Sequence, residues 1–140
     1  MISGQQIVEE AKTWLGTPFH HRAIIKGVGV DCAHFLIGVY SSLGIVQKFE
    51  PADYPPDWHL HQGAEKFLGY IKERATRVHD PQPGDVVMFK FGRCASHSAI
   101  VVEWPRIIHA FIRQGVVYAN ANDAELHGRV HSFWRIMEEK

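Results

Sequence analysis

The residue on which chemistry could turn is Cys32. It follows Asp31 and opens an apolar run, Cys32, Phe35, Leu36, Val39, Tyr40 and Leu43. That i, i+3, i+4, i+7 spacing predicts an amphipathic helix over residues 32–43. Asp31 suits the N-cap, because its carboxylate can accept the unpaired N–H groups of the first turn. Gly44 stands where helices commonly stop in a left-handed residue. A thiol in a first turn lies at the positive end of the helix macrodipole, beside unpaired amides, and both favour the thiolate. A working thiolate also needs an imidazole to pair with and a polar group to orient that imidazole. His97 and His109 have the right placement. The first precedes the apolar run Ala99–Val102 and the second lies in the run Ile107–Ala110. A hairpin about Trp104-Pro105 would return His109 to the neighbourhood of His97. The competing reading is plain: a cysteine on an apolar stripe is by default a core residue. With ten histidines in 140 residues, several must also be incidental.

Other chemistries are less well supported. Cys94 and His97 have a Cys-x-x-His spacing that could suggest zinc, but no second ligand pair of similar spacing accompanies it. No metal and no cofactor are expected, and Cys94 reads as a loop thiol. Two cysteines do not make a disulfide framework. Acidic and basic residues balance at 15 each, without a basic stripe, so nucleic acid is not an expected partner. There is no polybasic run for an anionic membrane and no apolar run long enough to span one. The N-terminal residues Met1 to Gln6 carry neither a basic nor an apolar leader, and the expected place of synthesis is the cytoplasm, with release by lysis or within a particle.

The elements that must position these residues read in order. A helix is predicted from Gly4 to Leu15, with Ser3 and Gln6 at capping-box spacing and a stop at Gly16-Thr17-Pro18. Residues Phe19 to Gly29 read as a loop, Val46 to Trp58 as an irregular proline-containing excursion, and Trp58 to Arg74 as a weaker third helix. After the turn Asp80–Asp85 the period changes to that of strands: Val86–Phe89, Ala99–Val102, Arg106–Ala110, Val116–Ala119 and Ser132–Met137, with Gly92 to Ser96 as a polar loop. Short strands joined by tight turns imply an antiparallel sheet. Helices followed by strands give the α+β class, a helical layer on a sheet of about five strands, and 140 residues suit one domain.

With these residues in place, the chain resembles the NlpC-type family of papain-like cysteine peptidases, which cut bacterial cell-wall peptides. Four stretches carry the resemblance: Ala11–Phe19, like the family's first helix and Gly-Thr-Pro-Tyr turn; Val30-Asp31-Cys32-Ala33, like Asp-Cys-Ser-Gly; Gln82–Phe89, like the Pro-Gly-Asp strand opening; and Ser96–Val101 with Ile107–Ala110, like the His-Val-Gly-Ile strand and Ile-His-Ala segment. They span about residues 5 to 112 in the family's order. The resemblance implies Cys32 as nucleophile, His97 as general base and acid, and His109 as orienter. It puts Phe19, Asp31, Ala33 and Ser96 against the substrate. The implied substrate is a peptidoglycan stem peptide, often cut between γ-D-glutamate and a diamino acid. The loop His20–Gly29 and the segment Tyr54–Trp58 are similar to variants attached to bacteriophage tails, which implies phage tail proteins as partners. Phe19 stands where the family has Tyr, and Ala33-His34 where it has Ser-Gly; His20, His21 and Tyr40 are the nearby polar side chains. Two alternatives follow: a catalytically weak tail-assembly component, and an amidase or acyltransferase using the same Cys-His pair.

Overall fold

The computed structural model describes residues 2–45, 69, 72–92 and 94–136. The first helix, α1 (Gly4–Lys12), is opened by Ser3, which completes the capping box with Gln6. It ends three residues before Leu15, where the chain tightens into turns leading to Gly16 and Thr17. The stretch read as a loop holds a small hairpin, β1 (Ile24–Ile25) and β2 (Gly29–Val30). The helix α2 (Cys32–Ser42) follows directly. The Val46–Trp58 excursion and most of the expected third helix lie outside the described residues; residues 72–74 are helical.

Six strands form one antiparallel sheet in the order β3 (Ala75–Val78), β8 (Val130–Ile136), β4 (Val86–Phe91), β5 (Cys94–Glu103), β6 (Arg106–Phe111), β7 (Gly115–Asn120). The α+β class is as expected, and among the described residues the main sheet has six strands where about five were expected. The additional strand, β3, pairs with β8, its one neighbour among the described residues, and has an exposed centre, so its sequence carries no apolar alternation. Residues 94–96 belong to β5 rather than to a loop. The β4–β5 register slips there, pairing Phe89 with His97 but Lys90 with Ala95, and leaves Ser96 as the extra residue of a bulge.

The sheet buries both faces. Val86, Met88, Ile100 and Ile108 join the α1–α2 side, whereas Val87, Phe89, Ala99, Val101 and Ile107 join a second cluster with Ala121 and Leu126. Two buried faces explain why the central strands read as continuous apolar runs. The last strand does alternate: Ser132 and Trp134 are interior, with Trp134 Nε1 donating to Ser132 Oγ at 2.8 Å. A polar residue in an inward position hides the period.

Two close approaches hold the helices in place. Gly84 (φ +90°) brings the start of β4 against Gly4, where a Cβ would lie 2.8 Å from the Gly4 Cα. Beside it, Tyr40 donates to Gly84 O at 2.7 Å, and the buried Asp85 accepts from Arg135 Nε and Nη2, each at 2.9 Å. On α2, Gly38 admits the ring of Trp14, which would lie 2.6 Å from an added Cβ. Trp14 is buried against Phe35 and pinned by Glu10 at 3.1 Å. Gly38→Ala is therefore expected to overpack this contact and cost about 1–3 kcal/mol, measured as a lowered urea midpoint at unchanged slope.

Candidate active site

The N-terminus of α2 is fixed from several directions by one carboxylate. Asp31 adopts extended backbone (φ −106°, ψ −179°). Its Oδ1 accepts the His34 N–H at 2.9 Å and meets His34 Nδ1 at 2.9 Å, and its Oδ2 accepts the Arg22 N–H at 2.7 Å. His21 Nδ1 lies 4.0 Å from Oδ2. Asp31 thus caps the helix and ties the 20–22 strap to it. The preceding residue is held as firmly, since Val30 donates to Pro18 O and accepts from His20. Every residue from Val30 to Tyr40 is buried, so the helix tip is an interior feature with a fixed direction.

The Cys32 sulfur faces backbone amides. The N–H groups of Ser98, Ala33 and Cys32 itself all favour its ionised form. The Ser98 amide is available for a reason set by register. Val101 donates to Asp85 O on the β4 side, so alternation sends the Ser98 N–H toward the β6 side. There β5 and β6 part: their pairing runs from Glu103–Arg106 to Ile100–Ile108. Beyond it β5 continues with β4 to Cys94, and β6 with β7 to Phe111. The tip of α2 meets the parted strands at this point. Burial, and then the adjacent Asp31 carboxylate, push the thiol well above its usual range and outweigh the amides. An isolated Cys32 would remain protonated, and ionisation requires a cation close by.

The structure brings the two candidate imidazoles together. His97 Nε2 and His109 Nδ1 are 2.8 Å apart and share a proton. Both are buried. The His97 ring touches Phe89, Phe91 and Phe111, and His109 stacks on Phe111 at 4.9 Å. Desolvation lowers the His109 pKa from 6.5 to about 4, so at neutral pH this ring is an uncharged partner. With His97 Nε2 committed to His109, Nδ1 is the nitrogen on the opposite edge of the ring. The arrangement can fix a tautomer and carry one proton, which are the two requirements on a general base.

The remaining sequence candidates fall as follows. Phe19 is half-buried and packs on the core. Ala33 has no exposed surface, and Asp31 is 2% exposed. Ser96 is the bulge residue of β5. Tyr40 is buried, its hydroxyl donating to Gly84 O. His20 is exposed and His21 half-buried. Sequence reasoning passed over two features. One is the buried Asp31–His34 contact, whose signal was a second polar residue in the first turn of an apolar helix. The other is Ser98, a polar residue within an apolar strand. Among the described residues, no three His, Cys, Asp or Glu side chains gather in a metal-binding group.

Comparison with known proteins gives this site a context. Residues 16–135 match the NlpC/P60 family. A protein of Haemophilus influenzae named as a probable endopeptidase is 30% identical over 135 residues, covering 91% of this chain and 70% of its own. Among solved structures, an NlpC/P60 family protein from Bacillus cereus superposes with a TM-score of 0.72 at 20% identity; 97% of this chain is covered, spanning 41% of that one. The NlpC/P60 domain of the peptidoglycan hydrolase SagA gives 0.66 at 18% identity, with 96% of this chain and all of that domain covered. The chain belongs to the NlpC/P60 family.

Proposed function

We propose that the protein is a cysteine endopeptidase that hydrolyses an amide within the peptide stem of peptidoglycan, of the γ-D-glutamyl–diamino acid type. The observation that carries this reading is the 2.8 Å His97–His109 bond on the strand whose next residue, Ser98, gives its amide to the Cys32 sulfur. The names borne by relatives, a probable endopeptidase and a peptidoglycan hydrolase, support hydrolysis and that substrate. The loop 20–29 supports a phage-tail setting through the resemblance described above.

The steps follow from the residues. The Cys32 proton passes to His97 Nδ1, and the Nε2–H of the resulting imidazolium is held by His109 Nδ1. The thiolate attacks the amide carbonyl and forms a C–S bond. Collapse of the tetrahedral intermediate breaks the C–N bond, and His97 returns the proton to the leaving amine. Water, deprotonated by His97, then cleaves the thioester to a carboxylate and regenerates the thiol. We assign the backbone N–H of Cys32, at the helix tip, to the oxyanion. Pairing supplies the cation that a buried thiolate beside Asp31 lacks. Asp31 and Ala33 serve by fixing the helix tip, and Phe19 and Ser96 flank the scissile bond.

The test is digestion of purified peptidoglycan, with products read by mass spectrometry. New γ-D-glutamyl carboxyl ends and free diamino acid amino ends are expected. A cut at the sugar–peptide amide would replace this reading with an amidase. No fragments at all would favour the tail-assembly alternative, which the Phe19 and Ala33 positions motivate.

A further inference from the structure

Ser98 has a second polar group besides its amide. It pairs with Met88 across β4–β5, and Met88 belongs to the α2 side of the sheet. The Ser98 side chain therefore shares that side with Cys32, Phe35 and Leu36. It is fully buried, and its Oγ has no hydrogen-bond partner among the described residues. A buried hydroxyl without a bond is costly, and an alanine or valine would fill the same apolar space without that cost. The residue retains the hydroxyl while its own N–H lies on the Cys32 sulfur. One rotatable bond, χ1, separates the hydroxyl from a new direction, and the three staggered positions of a serine differ little in energy.

We propose that Ser98 is a positioning residue that holds a hydroxyl donor in reserve beside the nucleophile and turns it onto the sulfur when Cys32 ionises. The inference rests on the reading of Cys32 as the nucleophile. In the resting protein the thiol is protonated and offers a hydroxyl only a weak acceptor. After the proton moves to His97, the sulfur is an anion in an apolar surround, and an O–H donor there forms a charge-assisted bond. The cost of the orphan is carried in the resting state and recovered in the ionised one. No proton is transferred by Ser98; the amide and the hydroxyl of one residue then serve the same sulfur from two directions.

This gives Ser98 a signature opposite in its two readouts. The experiment follows iodoacetamide labelling of Cys32, resolved by peptide mass spectrometry, against pH, together with thermal melting, in the full chain. Ser98→Ala and Ser98→Val are expected to melt at or above the wild-type temperature. Their Cys32 labelling profile should move up by about one pH unit, equivalent to about tenfold slower labelling below the transition. Ser98→Thr, which keeps the hydroxyl, should label as the wild type does. An unchanged profile in both Ser98→Ala and Ser98→Val overturns the proposal, and so does an upward shift that Ser98→Thr shares. A melting temperature that falls sharply in all three overturns it as well, because the hydroxyl would then be serving the fold. His97→Ala is measured alongside. If that variant labels like the wild type, the Cys32–His97 pairing fails on its own, whatever the Ser98 series shows.

Discussion

Replacing Cys32 by Ala is expected to abolish release of stem-peptide fragments, with a fall in kcat on the order of 10⁶. The size follows from the chemistry: without the sulfur no acyl-enzyme forms, and only binding and oxyanion contacts remain. Cys32→Ser should be nearly as inactive. A serine hydroxyl is far less acidic than a thiol, and the buried site beside Asp31 already raises the acidity demanded of the nucleophile. Both variants should fold, because the side chain at the tip of α2 is small and its surroundings are held by Asp31, Val30 and Ser98 rather than by the sulfur. Stability losses of about 1 kcal/mol are expected. Cys94→Ser, on the same strand as His97, provides the thiol control and should retain activity. Residual hydrolysis by Cys32→Ala above about one thousandth of the wild-type rate would remove the nucleophile from Cys32, since it exceeds what binding alone leaves.

How far the sequence reveals this arrangement depends on what each residue pairs with. The cap and the tip of α2 are legible because the capping bond, Asp31 to His34, is local. The proximity of His109 to His97 is legible for a related reason: the β5–β6 hairpin turns within two residues, so twelve positions of separation fold back on themselves. The burial of α2 on every side is not legible as a stripe. Ala33, His34 and Ile37 lie off the apolar face, yet all three are buried, and the Trp14 ring packs on the same helix at Gly38. The β1–β2 hairpin is two residues a side and glycine-containing, too short to show a period. Ser98 is hidden by parity. Its direction follows by alternation from Ile100 through an unbroken register, but which face of β5 meets α2 is set by tertiary packing rather than by neighbours in sequence.

The second large effect falls on His109. If His97 is the base, its Nε2–H must be received by a neutral acceptor that does not compete for the proton. Burial provides this by lowering the His109 pKa to about 4. His109→Ala should then reduce kcat by roughly 10²- to 10⁴-fold with little change in KM, because the tautomer and orientation of His97 are no longer set. His109→Asn offers an amide oxygen in reach of the same N–H and should recover most of the loss. A purely structural histidine would instead fail equally in both variants and change KM as well. The same residue carries a pH signature in stability. In the unfolded chain it titrates near 6.5, and in the folded one near 4. Between those values the unfolded state binds the extra proton, so stability falls as the pH drops from 6.5 toward 4. The full effect is about 3 kcal/mol. Measured by urea denaturation between pH 6.5 and 5, where most carboxylates are still ionised, the wild type should lose stability with a slope that His109→Asn flattens. Equal slopes in the two proteins would mean that His109 is not held neutral by its surroundings. The acceptor role assigned to it beside His97 would then lose its physical basis.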